Sequence, residues 1–214
     1  MKRNSYIGLI SLIFFMGMMP SMAHAQTARQ VLDRTSATLD VDGGVKASFA
    51  ISMFTGTKFT GATSGSLDLK GNKFHAVTPQ AIVWFDGKTE WTYMKNNDEV
   101  NVSTPTAAQL QQMNPYHFIN IYKQGYSMKL IKTKLRKTPV YEVHLKAQSK
   151  SQELQQVLIS VDKNSYQPLC VRMLRGKNKW TMLSISKFSK ANLSDSEFRF
   201  NAKDFPKAEV IDLR

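Results

Sequence analysis

The stretch Ile82-Val83-Trp84-Phe85-Asp86-Gly87-Lys88-Thr89-Glu90-Trp91-Thr92-Tyr93 reads as strand, tight turn, strand. Asp-Gly between two runs of large apolar residues is a hairpin signal. A type I′ turn needs positive φ, which glycine adopts without steric cost. On the second arm Trp91 and Tyr93 are two residues apart, so an extended chain points both rings to one face. The flanking sequence has to say what covers that face.

Toward the N-terminus the period stays at two. Val45, Ala47, Phe49, Ile51 and Met53 alternate with Lys46, Ser48, Ala50 and Ser52, the pattern of a half-exposed antiparallel strand. Residues 55–64 are rich in Gly and Thr and read as a turn. Leu67 and Leu69 alternate with polar neighbours, and Gly71-Asn72 turns the chain into residues 74–77. Further back, Thr27-Ala28-Arg29-Gln30 matches a capping box. Ala28, Val31, Leu32, Thr35 and Leu39 follow at helical spacing, which predicts an amphipathic helix over residues 27–39.

Toward the C-terminus, residues 99–103 form one more short strand. Residues 104–122 behave differently. Pro105 suits a first helical position, and Ala107, Leu110 and Met113 share roughly one face. Asn114-Pro115 interrupts, and Phe118, Ile119, Ile121 and Tyr122 form a second short apolar helical piece that Gly125 ends. Strands return over residues 127–133, 140–147, 154–162, 168–175 and 179–188. The aromatics Phe198, Phe200 and Phe205 close the chain.

The sum is an antiparallel sheet of about ten strands in one long meander, with helical pieces before it and in its middle. Three short helices are poorly matched to so large an apolar face. Either the sheet curls on itself, or the helices cap a cavity. The second option is mainly β with an α lid (α+β), an unclosed antiparallel β-barrel whose short helices cover a slot for an apolar guest.

The first 25 residues read as an export signal. Lys2 and Arg3 precede an apolar run over residues 7–19, too short for a membrane span of roughly 20 residues. Pro20 breaks the run, and Ala23-His24-Ala25 is a cleavage signal, so cleavage is expected after Ala25. Removing 25 of 214 residues leaves 189, within the range of one domain over residues 26–214. Losing Lys2 and Arg3 lowers the formal net charge from +13 to +11. The basic residues alternate with apolar ones along the strands, as on solvated outer faces, and no nucleic-acid motif accompanies them.

Chemistry is sparse. Cys170 is the single cysteine and sits in the apolar run Leu169-Cys170-Val171, which excludes an internal disulfide and suits a small buried hydrophobe. His75, His117 and His144 lie in separate elements without metal-ligand spacing. No nucleophile elbow, phosphate loop or dinucleotide fingerprint occurs. The reading therefore assigns no catalytic residue, no metal and no cofactor, and treats Asp86 as a turn residue. Met53, Met113, Met128, Met173 and Met182 are spread among many Phe. Such side chains accept varied apolar partners, although each alone suits plain core filling.

The order of these features resembles the LolA family of periplasmic lipoprotein carriers. Phe85-Asp86-Gly87-Lys88-Thr89-Glu90-Trp91-Thr92-Tyr93 is similar to the family hairpin D-G-K-x-x-W-x-Y. Val45-Lys46-Ala47-Ser48-Phe49 is similar to its first strand, and Gly65-Ser66-Leu67-Asp68-Leu69-Lys70 to its G-x-L-x-V-K strand. Asn192-Leu193-Ser194-Asp195-Ser196-Glu197-Phe198-Arg199-Phe200 is similar to its N-x-x-x-x-x-x-F-x-F signature. One departure stands out: Gly71-Asn72 follows Lys70 where the best-known members carry the Arg-Pro whose Arg latches the lid.

The resemblance implies the second option, an unclosed β-barrel with an α-helical lid, in a periplasmic monomer that takes acyl chains of lipoproteins, or lipid, into an apolar cavity and moves them from inner to outer membrane. It implies an inner-membrane releasing transporter and an outer-membrane acceptor as partners, and no nucleic acid. The alternative is a divergent lipid- or glycolipid-binding module, or an acyl-chain sensor. By alternation the expected cavity wall is Phe49, Ile51, Met53, Leu67, Leu69, Trp91 and Tyr93. The expected lid residues are Val31, Leu32, Leu110, Phe118 and Ile121.

Overall fold

Helix α1 (Ala28–Leu39) begins where the capping box predicts. Thr27 Oγ1 accepts from the Gln30 amide at 3.2 Å, and Gln30 Oε1 accepts from the Thr27 amide at 2.9 Å. Each bond satisfies a donor that the first helical turn leaves without a partner. Its buried side is Ala28, Val31, Leu32, Thr35 and Leu39. The polar member, Thr35, donates its hydroxyl to Val31 O at 2.9 Å, so its burial leaves that donor satisfied. The structure, a computed structural model, describes residues 26–106, 109–110 and 120–214.

Among the described residues twelve strands follow: β1 (Val45–Thr55), β2 (Lys58–Lys70), β3 (Lys73–Val77), β4 (Ala81–Phe85), β5 (Glu90–Met94), β6 (Glu99–Ser103), β7 (Tyr126–Leu135), β8 (Thr138–Ala147), β9 (Leu154–Asp162), β10 (Pro168–Arg175), β11 (Lys179–Lys190) and β12 (Glu209–Asp212). They form one sheet in the order β12-β6-β5-β4-β3-β2-β1-β11-β10-β9-β8-β7. The two edges, β12 and β7, do not pair, so the barrel is unclosed as expected.

The single meander is corrected. β6 and β7, consecutive in sequence, are not neighbours in the sheet. Two meanders, β1–β6 and β7–β11, are joined instead by the antiparallel pair β1/β11. The final strand, β12, runs parallel to β6. That parallel pairing requires a crossover. Residues 191–208 make it, passing over the sheet.

The turn expected over residues 55–64 is also corrected. The chain reverses within Gly56-Thr57, Gly56 having φ +61°, and β2 runs from Lys58. Its small residues are there to make room. A Cβ on Gly65 would lie 2.9 Å from the Phe49 ring and 2.0 Å from Val77 O. Glycine here answers a crowded neighbour, which is the other reason a strand carries one.

The Asp86-Gly87 hairpin is present with a different turn. Residues 86–89 form its loop, and within it only Gly87 has positive φ, at +100°. A type I′ turn needs two such residues. The Asp86 carboxylate holds the loop instead, accepting from the Lys88 and Thr89 amides at 3.0 and 2.9 Å.

Register carries one face across the whole sheet. Val45 pairs with Leu69, Leu69 with Phe74, Phe74 with Phe85, and Phe85 with Glu90. In the other direction Ile51 pairs with Leu183, Leu183 with Val171, Val171 with Ile159, and Ile159 with Val143. Helix α1 lies on this face. Val31 and Leu32, both 0% exposed, are sealed among Val143, Leu145, Val157 and Ile159. Leu39, at the other end of the helix, packs with Val45, Leu69, Phe74 and Phe85. Each such aliphatic side chain contributes about 1.5–3 kcal/mol by leaving water. A bulge in β11, with Lys187 at φ +49°, turns Phe188 onto this second core.

The opposite, outer face is covered at one end by the crossover. Leu193 and Phe198 are buried there. The Lys70 ammonium donates to Leu193 O at 2.8 Å, and Asp195 takes Lys70 at 3.2 Å and Lys73 at 2.7 Å. Lys70, at the position before the missing Arg-Pro, thus anchors the C-terminal segment.

Candidate functional site

The seven expected wall residues divide between the two faces. Phe49, Ile51 and Met53 of β1 share the helix face with Leu67 and Leu69 of β2, because Val45 pairs with Leu69 and alternation carries the face along each strand. Trp91 and Tyr93 do not. Trp91 pairs with Trp84, and Trp84 with His75, all on the outer face. Tyr93 meets Phe205 with ring centroids 4.7 Å apart, and Trp84 meets Phe200 and Phe205 at 5.6 Å each. Both therefore lie on the face opposite the other five expected wall residues. The hairpin thus packs on the C-terminal aromatics Phe200 and Phe205, which are distant in sequence. Trp91 and Tyr93 also pair with Val102 and Val100, both buried.

The helix face is not uniformly sealed. Between the two closed cores, Phe49, Ile51, Leu67, Leu183 and Ile185 of β1, β2 and β11 are only half-buried. Leu183 and Ile185 pair with Ile51 and Phe49, so the five form one contiguous apolar strip. Met53, at the far end of the strip, is 42% exposed. Leu69 belongs to the closed core with Leu39. Leu183 and Ile185 were legible as alternating positions but had no assigned face. Only pairing with β1 gives them one.

The expected lid residues sort as follows. Val31 and Leu32 are core, and Ile121 packs against that same core. Leu110 packs on the second core, following a helical turn in which Thr106 Oγ1 accepts from the Gln109 amide at 3.3 Å. Phe118, with Ala107 and Met113, lies outside the described residues.

Polar bonds fasten α1 as well. Asp33 accepts from the Tyr122 hydroxyl, Ser36 donates to Asn120 Oδ1 at 3.1 Å, and Arg34 donates to the Tyr166 hydroxyl at 2.8 Å. The Arg34 guanidinium also stacks over the Tyr166 ring, 5.0 Å from its centroid. These contacts tie α1 to Asn120, Tyr122 and Tyr166.

One polar group interrupts the helix face. Glu90 pairs with Phe85 on one side and Ser103 on the other, and is buried. Its Oε1 accepts from the Thr92 hydroxyl at 3.1 Å. Among the described residues its Oε2 has no hydrogen-bond partner. Burial pushes the carboxyl above its ordinary range, partly offset by the Thr92 bond. In the sequence it stands within the hairpin with no role assigned. Its signal was parity, since Glu90 must face away from Trp91.

His75 stacks on Trp84 with centroids 5.5 Å apart and lies 3.5 Å from Asp68. Glu142 accepts from His144 at 2.6 Å and from Arg172 at 2.8 Å. Cys170 is buried, which pushes its thiol up and away from the reactive thiolate. His117 lies outside the described residues. Among the described residues no helix is long and apolar enough to cross a membrane.

Residues 20–177 match the family model described as outer membrane lipoprotein carrier protein LolA. No curated protein matches the chain. Among solved structures, an uncharacterised conserved protein from Thermus thermophilus is 14% identical with a TM-score of 0.59, over 87% of this chain and 99% of that one. A LolA superfamily protein from Nitrosomonas europaea is 13% identical with a TM-score of 0.44, over 82% and 99%. MucB, in the Pseudomonas aeruginosa MucA/MucB complex, is 12% identical with a TM-score of 0.41, over 82% and 62%. The first of these shows a shared fold at an identity too low to carry function.

Proposed function

The chain belongs to the LolA outer membrane lipoprotein carrier family, and from that premise we propose that it is a periplasmic carrier of acylated cargo. The cargo is a lipoprotein or a lipid, taken up through its acyl chains and handed from inner to outer membrane without covalent chemistry. The observation that carries this reading is the half-buried apolar strip of Phe49, Ile51, Leu67, Leu183 and Ile185, left between two closed cores on the helix face. A face meant only for core would be closed along its whole length.

Binding energy is ample. Each methylene transferred from water gains about 0.8 kcal/mol, so ten of them supply on the order of 8 kcal/mol. Release is the harder step. It needs an acceptor that holds the same chains more tightly, and loading needs a donor that performs work. A releasing transporter in the inner membrane and an acceptor in the outer membrane would fill those roles. Residues 1–25 would deliver the chain to the periplasm as a cleaved signal, leaving one carrier domain.

Native mass spectrometry of the protein purified from its own periplasm tests the proposal. The expected spectrum carries mass increments of an acylated peptide or a diacyl lipid, and Phe49→Glu removes them while the protein stays folded and exported. A protein that emerges empty and takes up no diacyl ligand afterwards would refute it.

A further inference from the structure

Glu90 is an acid in a place where an apolar side chain would be more stable. It is 8% exposed, it stands beside Phe85 on the helix face, and its Oε2 finds no donor among the described residues. Leaving a buried acceptor unpaired costs about 1–3 kcal/mol, and more when it is charged. Its surroundings are not uniformly apolar either. Glu90 pairs with Ser103, and its same-face neighbour Thr92 pairs with Asn101. These four polar residues form a patch on β5 and β6. It continues, through Phe85 and Val83 of β4, into the apolar part of the same face.

We propose that this patch is a head-group subsite, in which Glu90 Oε2 accepts a hydrogen bond from a nitrogen-borne N–H of the cargo. The inference rests on the acyl-chain reading above, which puts the chains on the neighbouring strip. The atom demands a donor, because the Thr92 hydroxyl is already spent on Oε1. Two cargo groups supply that donor next to acyl chains: the primary ammonium of a lipid head, and the amide that joins an acyl chain to a peptide terminus. Burial disfavours the charged form of Glu90, and pairing with an arriving ammonium would offset that cost.

Displacement of a fluorescent fatty-acid probe from the full mature protein tests this with two matched pairs. The first is a diacyl phosphatidylethanolamine against the phosphatidylcholine of identical chains, which has no N–H. The second is a peptide acylated through an amide against the same peptide acylated through an ester. The wild type is expected to prefer the N–H member of at least one pair by about tenfold, the value of one charge-assisted hydrogen bond. Glu90→Leu brings that ratio to about one, and Glu90→Gln, nearly isosteric, guards against loss of fold. Preference in the first pair alone assigns the lipid ammonium, and in the second alone the acyl amide. Equal binding of both members in both pairs overturns the subsite and leaves the carrier reading standing. An undiminished ratio in Glu90→Leu also overturns it. Failure of every probe to bind overturns both readings.

Discussion

Phe49 and Gly65 are cross-strand partners, and the ring of the first occupies the space that a side chain on the second would need. A Cβ at Gly65 would also fall 2.0 Å from Val77 O, a backbone atom held in its own strand. Gly65→Ala is therefore expected to destabilise by about 1–3 kcal/mol, the usual cost of overpacking. Urea unfolding measures it as a lower midpoint at unchanged slope. A wild-type midpoint would mean that β2 and β3 part freely. Because the strain falls on Phe49, acyl-probe affinity should weaken along with stability.

The division of aromatic residues between faces makes a sharper prediction. Trp84 is 7% exposed and touches His75, Phe200 and Phe205, so Trp84→Ala should cost about 3–5 kcal/mol. Trp91 shares that outer face, away from the apolar strip. Trp91→Glu is accordingly expected to keep acyl-probe binding under conditions where it is folded, while Phe49→Glu loses it. Probe titration of the two variants side by side decides the matter. Equal loss in both would return the cavity to the hairpin's aromatic side.

Acid–base behaviour offers an independent check on Glu90. Its ordinary value is 4.5, and burial raises it in the folded protein. The folded state therefore binds the proton more tightly than the unfolded chain does. Its contribution is most favourable below the unfolded value and is lost as pH rises through the folded one. Stability of the empty protein should then fall with rising pH from about 4.5 upward, and Glu90→Gln should flatten that fall. Urea midpoints across this range for both proteins provide the comparison. Parallel curves would show that another group carries the dependence.

Much of the architecture was legible because it rests on local rules. The capping box at Thr27 and Gln30 and the stripe from Ala28 to Leu39 define α1 without reference to any partner. Alternation from Val45 to Met53 defines β1 in the same way. Order and spacing of the motifs pointed to the family, and residues 20–177 match its model. Composition misled where it stood in for contact. Residues 58–64 look like a loop only until β2 is paired with β1, which sets Gly61 against Met53.

Alternation along one strand is enough to say which residues share a face, since Trp91 and Tyr93 must point together and Glu90 must point away. Tertiary structure alone decided which of those faces looks toward the helix. Both sides of the hairpin are covered: one by the core that Leu39 joins, the other by Phe200 and Phe205 from the far end of the chain. Period-two alternation carries no sign, so either face could have been the inner one. The sign comes from long-range pairing, β1 with β11 and β12 with β6, which brings the crossover down on the side of Trp84. That same pairing leaves Phe49, Ile51, Leu67, Leu183 and Ile185 half-covered on the other.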